Sequence, residues 1–191
     1  MLDICLLGTG GMMPMPSRFL TAMLARLNGR LALIDCGEGT QVTMKMLGWG
    51  FKAIDVICFT HFHADHISGL PGLLLTIGNA GRTEPLMLIG PVGLQRIVEG
   101  LTLIAPELPF SIEYIELTQD APNPISVGAF EIHHCPADHM VKCFAYRIDL
   151  KRKGKFDVKK AERLKLPKPL WNKLQKEGSV EHEGKTYTAD M

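Results

Sequence analysis

Residues 60 to 66 read Thr-His-Phe-His-Ala-Asp-His, which puts three imidazoles and a carboxylate within six positions. Imidazole and carboxylate donors without thiolate favour zinc, with manganese or iron as alternatives. His61 and His63 alternate as they would at the end of an extended strand, so both rings face one way. Asp65 and His66 fall where the chain turns into a helix and address a second point close by. Such a geometry suits two metal ions a few ångströms apart. Polar residues capping a helix would account for Asp65 alone, but not for three histidines. A mononuclear site needs a third imidazole beside His61 and His63. His139, in the polar turn Pro136-Ala-Asp-His-Met between two strand candidates, is the residue expected to supply it. Asp138 beside it is expected to be exposed, His133 and His134 to be strand or loop residues, and His182 to lie on the surface.

The elements that must position these groups are legible around them. A short β-branched strand, Asp55–Phe59, leads into the histidine run, and an apolar stretch of helical spacing, His66–Ile77, comes after it. Upstream, Leu2–Leu7 is an apolar strand that ends in the turn Gly8-Thr-Gly-Gly. Leu20–Leu27 and Leu31–Asp35 flank Asn28-Gly29, a strong hairpin signal. Thr40–Leu47 and Val92–Leu103 read as helices. Leu86–Ile89, Ser111–Leu117, Ala129–His133 and Cys143–Leu150 read as strands. Strands alternating with helices that give way to β-rich sequence predict an α/β layered fold.

The chain has 191 residues, 46% apolar and 21% charged, which fits one globular domain or one domain with an appendage. No apolar run is long enough for a membrane span, and the N-terminus reads as a first strand rather than a signal peptide. Five cysteines with no C-x-x-C pair argue for free thiols in a reducing cytoplasm. The formal net charge of +1 conceals an asymmetry. Residues 151–176 hold eleven Lys/Arg against two acids, a net +9, whereas the remainder holds ten against eighteen, a net −8. A cationic segment on an acidic body is the pattern of an arm for a polyanion.

Three blocks carry a resemblance: Leu6-Leu-Gly-Thr-Gly-Gly, Leu33-Ile-Asp-Cys-Gly-Glu-Gly-Thr-Gln41, and Thr60-His-Phe-His-Ala-Asp-His-Ile-Ser-Gly-Leu-Pro-Gly72. The histidine motif resembles the metallo-β-lactamase superfamily. The three blocks together resemble the ribonuclease Z family, the tRNA 3′-processing endonucleases. Pro136-Ala-Asp-His139 with Phe144-Ala-Tyr-Arg-Ile148 is similar to that family's third-histidine region. Lys153–Val180, with Leu166-Pro-Lys-Pro-Leu-Trp-Asn-Lys-Leu174, is similar to its tRNA-binding arm. Where that arm usually carries a Gly-Pro pair and a later glycine, this sequence has Lys168-Pro169 and Asn172.

The resemblance implies a metallo-β-lactamase-like αββα sandwich, of which residues 1–150 would be the N-terminal part. Residues 151–177 would be a protruding basic arm, and 178–191 the start of the C-terminal part. It implies that His61, His63 and His139 hold one zinc ion, and that Asp65 and His66 hold part of a second. Asp65 would also act as general base on the attacking water. Lys151, Arg152, Lys153, Lys155, Lys159, Lys160, Lys168, Pro169, Trp171 and Lys173 would grip precursor tRNA, and the protein would be a cytoplasmic homodimer. The family continues past the arm with a bridging Asp and a last metal His. The sequence stops at Met191, so the expectation is a truncated piece that holds one zinc well and the second poorly. Two other readings stand beside this one: a hydrolase of the same fold acting on a small ester, and a tRNA-binding fragment without catalysis.

Overall fold

The computed structural model describes residues 2–13, 15–105, 107–149 and 156–188. The chain divides into two compact units, Met1–Leu150 and Lys151–Met191. In the first, the strands and helices run in the order β1 (Leu2–Gly8), β2 (Ala22–Leu27), β3 (Arg30–Ile34), α1 (Thr40–Leu47), β4 (Ile54–Cys58), α2 (Ala64–Ile67), α3 (Leu70–Asn79), β5 (Leu86–Pro91), α4 (Leu94–Leu101), β6 (Ile112–Leu117), β7 (Ile125–Val127), β8 (Phe130–Ala137) and β9 (Cys143–Asp149). Strands β1 to β6 form one sheet in sequence order, and β7, β8 and β9 form a second, antiparallel one.

The direction of the strands decides where the site can be. β1 and β3 both pair antiparallel with β2, while β3–β4, β4–β5 and β5–β6 are parallel. Strands β1, β3, β4, β5 and β6 therefore all point the same way. The segments that leave their C-terminal ends, including the histidine run after β4, gather on one edge of the sheet. Ligand sites of open α/β sheets collect at such edges.

The two-residue alternation of strands sorts side chains onto the two faces. Leu24, Leu31, Leu33, Leu86 and Leu88 join Met44, Leu70, Leu73, Leu74, Ile77, Leu94 and Val98 of the helices in one core. Ala25, Ala32, Val56, Cys58 and Ile89 face the second sheet and pack on Ile125, Phe130 and Ile132. Pairing slips by one residue between Leu31↔Ile54 and Ala32↔Val56, so Asp55 is extra, and Ile54 and Ile57 both face the helices. Each buried Leu or Ile contributes on the order of 2 kcal/mol from removed apolar surface. The layer order is helices, sheet, sheet.

The turn Asn28-Gly29 has φ of 51° and 80°, as the hairpin signal requires. Other boundaries differ from expectation. The single helix expected over His66–Ile77 is two, α2 and α3, separated at Ser68-Gly69. There the Gly69 N–H donates to the Cys36 carbonyl at 2.9 Å, and a Cβ on Gly69 would overlap the Gly37 carbonyl oxygen. This tertiary contact and Pro71, which has no N–H to continue a helix and sits in the first turn of α3, together break the run. The helix expected over Val92–Leu103 is α4 followed by a 3-10 turn at Thr102–Ile104. All five cysteines are free; Cys36 and Cys58 are buried, whereas Cys135 is exposed.

The second unit contains α5 (Val158–Arg163), α6 (Lys168–Glu177) and the hairpin β10 (Ser179–His182)–β11 (Lys185–Thr188). The Asp157 side chain caps α5 by accepting from the Lys160 N–H at 2.9 Å. Leu166, Leu174 and Val180 form a small core with Phe156, Leu170, Trp171 and Tyr187 against it. The prolines that obscure α6 sit at its N-cap and first turn, where a proline is tolerated. No described helix is long and apolar enough to cross a membrane.

Candidate metal centre

The segment that leaves β4 is held from three sides. The Phe59 N–H donates to the Ile89 carbonyl at 2.7 Å, which extends the β5 contact by one residue. The loop after β3 clasps the far end, with the Cys36 N–H donating to the His66 carbonyl at 2.7 Å. From the second sheet, the Phe144 N–H donates to the Thr60 carbonyl at 2.9 Å and the Tyr146 hydroxyl donates to the Phe59 carbonyl at 2.8 Å. These two bonds fix the start of β9, and with it the β8–β9 loop that carries His139. Residues 59–63 connect β4 to α2, and His63 is at φ −65°, ψ 148° where α2 begins.

Three rings converge there. His61 Nε2 lies 3.0 Å from His63 Nδ1, and His139 Nε2 lies 3.4 Å from the same atom. One donor atom from each falls within 4.8 Å of the others. Four-coordinate zinc with Zn–N near 2.0–2.1 Å spaces two imidazole nitrogens about 3.3 Å apart. The donor set and its spacing thus fit a metal ion. His61 is buried, His63 half-buried and His139 exposed, so the cluster opens to solvent on the His139 side. Among the described residues this is the one group of three or more His, Cys, Asp or Glu side chains placed to hold a metal.

Asp65 and His66 are the first-turn acid and the last-turn base of α2, and both stand beside the cluster. His66 Nε2 is 3.6 Å from Asp65 Oδ2, and the His61 and His66 rings are 4.0 Å apart between centroids. They form a pair, not a further group of three. His133 bonds Asp149 at 3.1 Å within the second sheet, the His134 N–H donates to Asn123 Oδ1, and His182 lies in β10. Asp138 is exposed.

The electrostatics of neighbouring rings diverge. Burial, then the charges of His66 and His63, push His61 down to about 4, so its ring is neutral with a lone pair to give. Burial also acts downward on His66, but the hydrogen bond from Nδ1 to Asp35, at 2.8 Å, and the charges of Asp35 and Asp65 outweigh it; His66 is raised. Asp35 and Thr60, which touch these rings, lie in two of the blocks that carry the resemblance, but nothing in the sequence marked them as partners of the histidines. Cys143 Sγ lies 4.0 Å from His61 Nδ1, and burial pushes its thiol up, which keeps it protonated.

Of the residues expected to grip RNA, Lys159, Lys168, Pro169 and Lys173 are exposed on α5 and α6, while Lys160 is half-buried. Trp171 is half-buried, 5.4 Å from the Phe156 ring, and its Nε1 donates to the Leu166 carbonyl at 2.7 Å. Its ring thus also serves the small core of this unit. Lys151, Arg152, Lys153 and Lys155 lie outside the described residues.

A mixed sheet with helices on one face, a second sheet on the other, and a His-x-His-x-Asp-His loop at the rim define a metallo-β-lactamase-fold protein. Residues 2–98, just over half of the chain, match the family described as Anti-Pycsar protein Apyc1, and the chain belongs to that family. Along its whole length it is 56% identical to the ribonuclease Z of Lachnospira eligens, and it spans 62% of the length of that relative. The resemblance to ribonuclease Z read from the motifs therefore holds along the entire chain. Among solved structures, human tRNase Z, short form, superposes with a TM-score of 0.68 at 30% identity, covering 78% of this chain and 65% of that one. The metallo-β-lactamase fold protein YhfI of Bacillus subtilis gives a TM-score of 0.63 at 20% identity over 78% of this chain and 58% of that one, a likeness of fold.

Proposed function

We propose that this chain carries the metal-binding part of a zinc endoribonuclease that removes 3′ trailers from precursor tRNA and leaves a 3′-hydroxyl. The observation that carries the reading is the convergence of His61 Nε2, His63 Nδ1 and His139 Nε2 with Asp65 alongside. Similarity to ribonuclease Z along the whole chain supports it. His61, His63 and His139 would hold one zinc ion, and Asp65 with His66 would contribute to a second. Zinc in that position supplies Lewis acidity toward a phosphodiester oxygen and lowers the pKa of a water molecule. Asp65 orients the water and takes its proton as the bond to phosphorus forms. His66, held by Asp35, keeps its Nε2 toward Asp65. The attack leaves the tRNA 3′-oxygen as the departing group and the 5′-phosphate on the trailer.

The domain division of the proposal is 1–150 for the metal-binding part, 151–177 for the tRNA-binding arm, and 178–191 for the start of a C-terminal part. Lys159, Lys160, Lys168 and Lys173, with Lys151, Arg152, Lys153 and Lys155, would neutralise tRNA phosphates. The reading extends to a homodimer acting in the cytoplasm; sedimentation of the purified chain checks the first of these.

The test is incubation of the 191-residue chain with a 3′-trailered precursor tRNA and zinc, beside a chelated control. Chelator-sensitive cleavage just after the discriminator base would establish the endonuclease and would mean that the second metal position is completed by groups beyond Asp65 and His66. A second reading draws on the fact that Asp65 and His66 are a pair rather than a complete ligand group among the described residues. It is a chain that binds tRNA without cleaving it. Salt-sensitive tRNA binding with no cleavage would favour that reading, and absence of both would overturn the two together.

A further inference from the structure

Asp35 closes β3 with 2% of its surface exposed and a left-handed φ of 58°, an uncommon conformation for a residue other than glycine. A buried carboxylate is costly unless its oxygens are bonded. Those of Asp35 are. Oδ1 accepts from the Thr60 N–H at 2.8 Å, and Oδ2 lies 2.8 Å from His66 Nδ1 and 2.9 Å from Thr60 Oγ1. Thr60 Oγ1 is also 2.9 Å from His61 Nδ1 and 3.4 Å from His66 Nδ1.

Donor and acceptor counting fixes the direction of these bonds. A hydroxyl has one proton, and a carboxylate can only accept. The Thr60 proton therefore goes to Asp35. Its oxygen is left to accept, so His61 Nδ1 must be the donor. His66 Nδ1 must likewise carry the proton it gives to Asp35. With Nδ1–H on both rings, both lone pairs are on Nε2. That of His61 faces His63 Nδ1 within the cluster, and that of His66 faces Asp65.

We infer that Asp35 and Thr60 are positioning residues that set the tautomers of His61 and His66 together, so that one buried carboxylate orients a ring on each side of the metal centre. His61 receives the instruction through the Thr60 hydroxyl, and His66 receives it directly. Partners of this kind behind metal-binding histidines typically alter affinity by about 10- to 100-fold. The inference rests on the metal-binding part of the proposed function and is independent of the RNA substrate.

The experiment reads the ¹⁵N shifts of the imidazoles in the metal-free chain at alkaline pH, where both rings are neutral. Zinc affinity by competition with a chromophoric chelator is the second readout. The native chain should show His61 and His66 protonated on Nδ1. Thr60→Val, which keeps the shape and removes the hydroxyl, should release the tautomer of His61, leave that of His66, and weaken zinc binding about 10- to 100-fold. Thr60→Ser should restore both readouts. His61 protonated on Nε2 in the native chain would overturn the inference. So would a Thr60→Val chain with native His61 shifts and native zinc affinity. Asp35→Asn should disturb both rings if it folds. The Thr60 pair decides the matter if it does not. Failure of tRNA cleavage leaves these readouts standing.

Discussion

His61 and His66 have ring centroids 4.0 Å apart and are shifted in opposite directions. The consequence for stability has a definite sign. His61 folds with a value of about 4 against an ordinary 6.5, so between those limits the unfolded chain binds more protons. Stability contributed by its neutral state is lost as pH falls through that window. His66 is raised, so the stabilisation of its charged form is present below 6.5 and lost as pH rises through its folded value. Together they place a stability maximum near neutral to slightly acid pH in the metal-free chain. Thermal melts in chelator across roughly pH 4 to 9 check it, and His66→Gln should abolish the alkaline decline while leaving the acid one. A second expectation concerns His139. It is exposed, so His139→Ala should change the stability of the metal-free chain by about 0.5 kcal/mol or less while stoichiometric zinc binding is lost. Equilibrium dialysis beside urea titration separates the two effects. The identity of these donors was legible because six residues held four of them and a polar turn held the fifth. Asp35 was not legible in its role. It lies 31 positions from His66, and nothing local says that the two meet.

At the scale of elements, the centre depends on two loops that approach more closely than side chains allow. A Cβ on Gly69 would overlap the Gly37 carbonyl oxygen, and one on Gly37 would overlap the Asp65 carbonyl oxygen. Between them run the bonds from the Cys36 N–H to His66 and from the Gly69 N–H to Cys36. Gly69 has a φ of −77°, so alanine meets no backbone strain there; the whole effect is overpacking. Gly69→Ala should destabilise the first unit by about 1–3 kcal/mol and weaken zinc binding as the loops part. A urea midpoint measured with and without zinc tests this, and an unchanged midpoint would mean that the loops yield freely. The same contact explains a limit of sequence reading. Pro71, in the first turn of α3, marks a helix start inside His66–Ile77, but that the break falls at Ser68-Gly69 is set by the approach of Gly37 and Cys36. The hairpin at Asn28-Gly29 was legible because two positive φ values call for those residue types locally. Helix α6 was not, because Pro167 and Pro169 read as breakers when they occupy its N-cap and first turn.

On the scale of the whole molecule, charge separates the competing readings. The segment 151–176 carries a net +9 and everything else a net −8. A polyanion is repelled by the acidic remainder and drawn by the cationic segment. A small ester has no use for the segment. Neutralising Lys159, Arg163, Lys168 and Lys173, all exposed on α5 or α6, removes charge with little effect on folding. Glutamine keeps their length and helix propensity. If these side chains lie on tRNA phosphates, the fourfold glutamine variant should bind more weakly at low salt. Its log K against log salt should also be shallower, by on the order of one in slope for each phosphate contact removed. Zinc content per chain should stay the same, because all four belong to the second unit and the metal donors to the first. An unchanged slope with lowered affinity would place the loss in folding of the small core around Leu166 and Leu174 rather than in phosphate contact. An unchanged affinity and slope would remove these four side chains from RNA recognition.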